Sequence, residues 1–159
     1  MTREELTETL KKEWGDKISI EERIDLTIRT GKEYLLEICQ ALYNDPRWDF
    51  SYLADLAGVD YPERDQRLEV VYHLYSMAKN HRLCLKVSVA EDEAVSSVAS
   101  IWKGASAMER EAYDLLGIQF ENHLDLRRIY LPPDWQGHPL RKDYPLKGKG
   151  DYSIEGKNI

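Results

Sequence analysis

Glu109-Arg110-Glu111-Ala112-Tyr113-Asp114 is the densest run of ionisable side chains on a stretch that reads as helix. General acid–base chemistry needs two carboxylates facing one pocket, one of them raised towards neutral pH by burial. Helical geometry brings Glu111 and Asp114 together at i, i+3, and Arg110 and Asp114 at i, i+4. The same spacing describes a charged helical face with internal ion pairs, each worth ~0.2–0.5 kcal/mol. Composition favours that face. Arg110 is then expected to pair with a carboxylate, and Glu109 and Glu111 to lie at or near an interface with another chain.

The second unusual stretch is Trp135-Gln136-Gly137-His138-Pro139-Leu140-Arg141-Lys142-Asp143-Tyr144-Pro145. Trp135, Leu140, Tyr144 and Leu146 each forgo roughly 1.5–3 kcal/mol if left in water. Aromatic side chains interleaved with arginine are also enriched at interface hot spots. Either the segment folds back on its own domain or it docks on a partner, and the residues alone do not choose.

Other chemistries lack their residues. Gly148-Lys149-Gly150 has neither the strand before it nor the helix after it that a phosphate loop requires. No serine sits in a nucleophile elbow. His73, His81, His123 and His138 share no metal-ligand spacing, and no C-x-x-C or H-E-x-x-H occurs, so no metal site is expected. Cys39 and Cys84 lie far apart in apolar surroundings, as reduced core thiols do.

The net charge of −7 argues against nucleic acid or an anionic membrane as the main partner. That charge is uneven: residues 1–126 carry −10, residues 127–150 carry +4 and residues 151–159 carry −1. No apolar run approaches the ~18 residues of a membrane span, and the N-terminus has no apolar segment like a signal peptide's. At 159 residues with 42% hydrophobic content, the chain can bury a core without disulfide or metal.

The elements that must position these residues follow from periodicity. Thr2 and Glu5 form a capping box ahead of Leu6, Leu10 and Trp14, which share one helical face. Residues 18–29 alternate apolar and polar and read as a single strand. Leu35, Ile38 and Leu42 mark a second helix, and residues 48–60 are ambiguous with strand character at their end. Residues 68–77 read as a central strand and 82–90 as its partner, joined through Lys79-Asn80-His81. Asp92 is expected to cap a helix running to Trp102, with Val95, Val98 and Trp102 inward. Ser106 and Glu109 form a second capping box for a helix ending at Leu116-Gly117. Residues 127–130 can be read as a last strand. Prolines 132, 133, 139 and 145 then preclude regular structure. The expected fold is α+β: a small, mainly antiparallel sheet with packed helices in a body of residues 1–131. An extended, proline-bearing arm follows at 132–159.

Read together, these blocks resemble the 30 kDa (C) subunit family of respiratory complex I, the proton-pumping NADH:quinone oxidoreductase. The family pattern falls on Glu109-Arg110-Glu111, Asp114, Leu115-Leu116, His123, Arg127 and Ile129-Tyr130, and its arm on Gly137 to Pro145. Leu53-Ala54-Asp55-Leu56, Val59-Asp60-Tyr61 and Tyr72-His73-Leu74-Tyr75 match more loosely. The resemblance implies a non-catalytic structural subunit of the hydrophilic arm, without cofactors of its own; NADH, flavin, iron–sulfur clusters and quinone belong to other subunits. It implies that the chain braces the quinone-site (D) subunit, on the cytoplasmic face of the cell membrane and with no span of its own. It makes Glu109, Arg110, Glu111, Asp114, His123, Arg127, Trp135, His138, Arg141, Lys142, Asp143 and Tyr144 candidate interface residues, with Arg141 as the anchor on a partner carboxylate. It decides the arm's choice in favour of docking, with the distal arm mobile in the free protein. The equivalent subunit of a ferredoxin-, F420H2- or [NiFe]-hydrogenase-linked relative fits the same residues. An independent enzyme using Glu111 and Asp114 as an acid/base pair is the reading from another class.

Overall fold

The computed structural model describes residues 2–147. Helix α1 (Arg3–Trp14) starts as its capping box requires: the Glu5 amide donates to Thr2 Oγ1 at 3.2 Å and the Thr2 amide to Glu5 Oε2 at 2.7 Å. It buries Leu6, Leu10 and Trp14, and the Trp14 ring stacks on Trp48 with centroids 5.7 Å apart. Helix α2 (Leu35–Asn44) buries Leu35, Ile38, Cys39 and Leu42.

The alternating run at 18–29 is two strands, β1 (Ile18–Glu22) and β2 (Leu26–Thr30), paired antiparallel. Ile24 keeps the alternation in the sequence but sits fully exposed in the turn between them. Strands β3 (Tyr52–Asp60), β4 (Leu68–Ser76) and β5 (His81–Val89) form a meander; β4 and β5 lie where strands were expected, and the ambiguous stretch is strand from Tyr52 on. Asn80 takes the left-handed conformation in the tight turn before β5, and its side chain accepts from Tyr75 Oη at 2.7 Å. The five strands lie in the order β1-β2-β5-β4-β3, antiparallel except for the β2–β5 pair. Leu68, Val70, Tyr72 and Leu74 on β4 and Leu83, Leu85, Val87 and Val89 on β5 face the helices and form the centre of one apolar cluster. Burial pushes both the Cys39 and Cys84 thiols above their ordinary range.

Three expectations fail beyond this point. The helix from Asp92 to Trp102 does not form; Ala94–Ser96 is a short strand, β6, and turns follow it. Its partner is β7 (Gln119–Glu121), paired parallel. Val95, Val98 and Trp102 are buried as expected, but from a strand and turns whose spacing imitates a helix. Helix α3 (Ala105–Leu116) is capped by Gly104 without a side-chain bond, so the Ser106–Glu109 box is not made. Residues 127–130 are irregular, with bends at 129 and 130, and do not form a strand.

Gly58 on β3 lets α3 approach closely: a Cβ there would lie 2.5 Å from Leu116 Cδ1 and 2.8 Å from Ile118 Cδ1. The C-terminal end of α3 is thereby set against the sheet, where the arm meets it. Among the described residues, no helix is long and apolar enough to cross a membrane.

Candidate functional site

The carboxyl end of an α-helix leaves carbonyl groups without partners inside the helix. In α3 these groups meet the arm. Asp114 O accepts from Arg128 Nη1 at 3.0 Å and from the His138 ring at 2.9 Å. A carbonyl only accepts, so His138 carries its proton on Nδ1. Leu115 O accepts from the Leu140 amide at 3.0 Å, and Leu116 O from Arg141 Nε at 2.6 Å. The helix itself stops at Gly117, whose φ of 76° is left-handed. A Cβ at Gly117 would lie 2.5 Å from His138 Cδ2 and 2.7 Å from Arg141 Nη2, so the missing side chain is the space the arm occupies.

Asp114 is the hub. Its side chain is fully buried, and Oδ2 accepts from three consecutive amides, Ile129, Tyr130 and Leu131, at 3.0, 2.7 and 3.0 Å. Its Oδ1 accepts from Arg128 Nη1 at 2.8 Å. The other arm of that guanidinium donates to Trp135 O and Gly137 O, both at 2.9 Å. Burial pushes the Asp114 carboxyl up, but the donors from Leu131, Arg128, Tyr130 and Ile129 outweigh it and hold the group below its ordinary value.

A second fastening lies at the end of β3. Arg67 grips Asp60 through Nε at 2.6 Å and Nη2 at 2.9 Å, and reaches Asp143 at 2.8 and 3.0 Å. Asp60 Oδ2 also accepts from the Lys142 amide at 2.7 Å. Glu91, after β5, pairs with both Arg141 and Arg67. Arg67 holds the carboxyls of Asp60 and Asp143 below their ordinary range. A carboxylate whose pKa falls on folding contributes stability that is present above its unfolded value, here 3.8, and is lost as the pH falls through the folded one. The urea midpoint should therefore drop steeply below about pH 4, and Asp60→Asn should flatten that drop. Equal acid sensitivity of the variant and the parent would show that Asp60 does not carry it.

The remaining candidates scatter. Glu109 is fully buried and points inward; its Oε2 accepts from Ser97 Oγ at 2.6 Å and its Oε1 from the Val98 amide at 2.7 Å. Burial raises its carboxyl, against those two hydrogen bonds. Its reach to Ser97 explains the unmade capping box. Among the described residues Arg110 pairs with no carboxylate: it donates to the carbonyls of Arg127 and Arg128 at 3.0 and 3.1 Å. Glu111 accepts from Tyr130 Oη at 3.2 Å, so Glu111 and Asp114 have separate partners. His123 accepts from the Asp125 amide on Nδ1 and donates from Nε2 to Ser106 O at 3.0 Å, 3.8 Å from Glu109. Arg127 is exposed and pairs with Asp125. Trp135 and Tyr144 are half-buried, and Tyr144 Oη donates to Gln136 O at 3.2 Å. Arg141, the expected partner anchor, is held by Leu116 O and Glu91 of its own chain. Sequence reasoning missed Arg67 and Glu91, which form no local pattern. It gave no site role to Arg128 beside a motif residue, to Asp60 in a looser family match or to Gly117 at the expected end of the helix.

The ionisable groups of the Glu109–Asp114 run are engaged within the chain, and Asp114 holds the arm. This defines a class: an α+β module with a strapped-down C-terminal arm. The chain belongs to the 30 kDa subunit family of the respiratory-chain NADH dehydrogenase, whose family model matches residues 28–150. It is 47% identical over 129 residues to the C subunit of NADH-quinone oxidoreductase from Roseiflexus castenholzii, covering 80% of this chain and 74% of that one. The protein of the same name from Azorhizobium caulinodans is 48% identical over 124 residues, 78% of this chain but only 59% of its own length. That from Geotalea uraniireducens is 44% identical over 136 residues, 85% and 82% of the two chains. The fold is also similar to a chain in the membrane-bound sulfane sulfur reductase, an archaeal respiratory membrane complex, with a TM-score of 0.74 at 20% identity over 90% of this chain and 85% of that one.

Proposed function

We propose that the chain is a non-catalytic structural subunit of the hydrophilic arm of a proton-translocating NADH:quinone oxidoreductase, bracing the quinone-site (D) subunit. The observation that carries this reading is the division of labour in the arm. Among its described residues, His138, Arg141 and Asp143 are fastened to the chain's own body, while Leu140 and Leu146, with Tyr130 just before the arm, remain exposed, Leu146 fully. Exposed apolar side chains on a fixed backbone are what a docking surface requires. The exposed Arg127 and Lys142 flank them, so the matching surface on the quinone-site protein is apolar with an acidic rim. NADH, flavin, iron–sulfur clusters and quinone are assigned to other subunits, and the chain to a peripheral position on the cytoplasmic face of the membrane. Affinity purification of the tagged chain from native membranes should recover the quinone-site protein together with the NADH-binding flavin and iron–sulfur subunits. Recovery of ferredoxin-, F420H2- or hydrogenase-type input subunits would move the chain to a relative of that complex. Recovery of the chain alone, with turnover, would overturn the structural reading.

A further inference from the structure

We infer that the proximal arm, to Asp143, is locked in its docking geometry before any partner arrives, and that Asp114 is the positioning residue that sets it. The inference rests on the docking reading; the expectation of a mobile distal arm falls on residues 148–159, outside the described residues. Three consecutive amides converging on one buried carboxylate oxygen fix the backbone of residues 129–131. Arg128, held by the same carboxylate, closes the loop to Trp135 and Gly137 with its other nitrogen. Leu140 and Arg141 then take up the last open carbonyls of α3, so the arm serves as the helix's own carboxyl-terminal cap. The cations Arg128 and Arg141 stand where the helix dipole is negative. Arg67 clamps the far end at Lys142-Asp143 through Asp60.

Cap and arm stabilise each other: releasing the arm would strand the α3 carbonyls, and a frayed α3 would lose the seat for the arm. Tyr130 and Leu140 are thereby presented on a fixed frame, outward from the clasp. A partner meets a finished surface and does not order a chain as it binds, which preserves affinity and speeds association.

Hydrogen exchange on the full-length free protein tests this. The amides of Ile129, Tyr130, Leu131, Leu140 and Lys142 should be protected in the parent. In Asp114→Asn they should exchange at least tenfold faster, with β4 and β5 unchanged. The amide's NH2 cannot accept, so at most one of its two ends can replace a carboxylate oxygen. Against the purified quinone-site protein, Asp114→Asn should slow association about tenfold and change dissociation less than threefold, whereas Leu140→Ala should mainly speed dissociation. If Asp114→Asn does not fold, Arg67→Ala should free residues 142–144 alone. Parent arm amides exchanging at unfolded-chain rates would overturn the inference, as would an Asp114→Asn arm that stays protected. Protected arm amides with no binding to the quinone-site protein would leave the clasp standing and sink the docking function instead.

Discussion

Replacing Gly117 by valine is expected to unseat the arm and lower stability by roughly 3 kcal/mol, combining left-handed backbone strain with the loss of hydrogen bonds at the end of α3. The position carries two separate demands. Its φ of 76° disfavours any side chain, and its Cβ space is filled by His138 and Arg141. Asparagine separates them, because it tolerates the left-handed conformation but still brings a Cβ. Gly117→Asn should therefore be nearly as damaging as valine in a thermal melt and should open the arm to limited proteolysis. Near-parent stability of Gly117→Asn would mean that conformation, and not space, is what the glycine provides.

The second large effect is expected at Glu109. Alanine there leaves the Val98 amide and the Ser97 hydroxyl buried without their acceptor, at about 1–3 kcal/mol each. A loss of that size lowers the melting temperature of a chain of this length by roughly 5–15 °C. Glutamine keeps one acceptor and should cost less. The pH dependence runs opposite to that of the clasp. Burial raises the Glu109 carboxyl above its ordinary 4.5, so its contribution is full below that value and is lost as the pH rises through the folded one. Glutamine does not titrate, so the deficit of Glu109→Gln relative to the parent should shrink between about pH 4 and pH 7. A deficit that grew over that range would show that the carboxylate form is the one the fold prefers.

Much of the body was legible because burial imposes a period on side chains. Leu83, Leu85, Val87 and Val89 point to one side of a strand in sequence and in space alike. Legibility failed where different local geometries bury the same spacing. Val95, Val98 and Trp102 fit a helical stripe, but they come from a three-residue strand and the turns after it, and β6 depends on β7, which lies beyond α3 in the chain. Ile24 continued an alternation that the chain had already abandoned for a turn. The motif residues were legible as a group, and their roles were not. Glu109 and Asp114 look alike on a helix, yet one faces Ser97 and the other gathers three amides from residues 129–131. The arm's seat could not be read at all. It consists largely of main-chain carbonyls and of the atoms Gly117 lacks, and neither leaves a mark in side-chain periodicity.

The parallel β2–β5 pair brings Leu26 beside Leu83, whereas β3, β4 and β5 are joined by short connections. Closing a long loop has an entropic cost that precedes any reward from contact, so the meander is the natural nucleus and the amino-terminal hairpin joins it later. The arm closes later still. Lys142 returns to Asp60 across 82 positions and Arg141 to Glu91 across 50. During synthesis amino-terminal parts fold first, and the clasp needs residues that emerge after the whole sheet and α3. A nascent or truncated chain can thus complete its sheet while α3 is still uncapped, and the surface offered for assembly matures only once translation has passed the clasp.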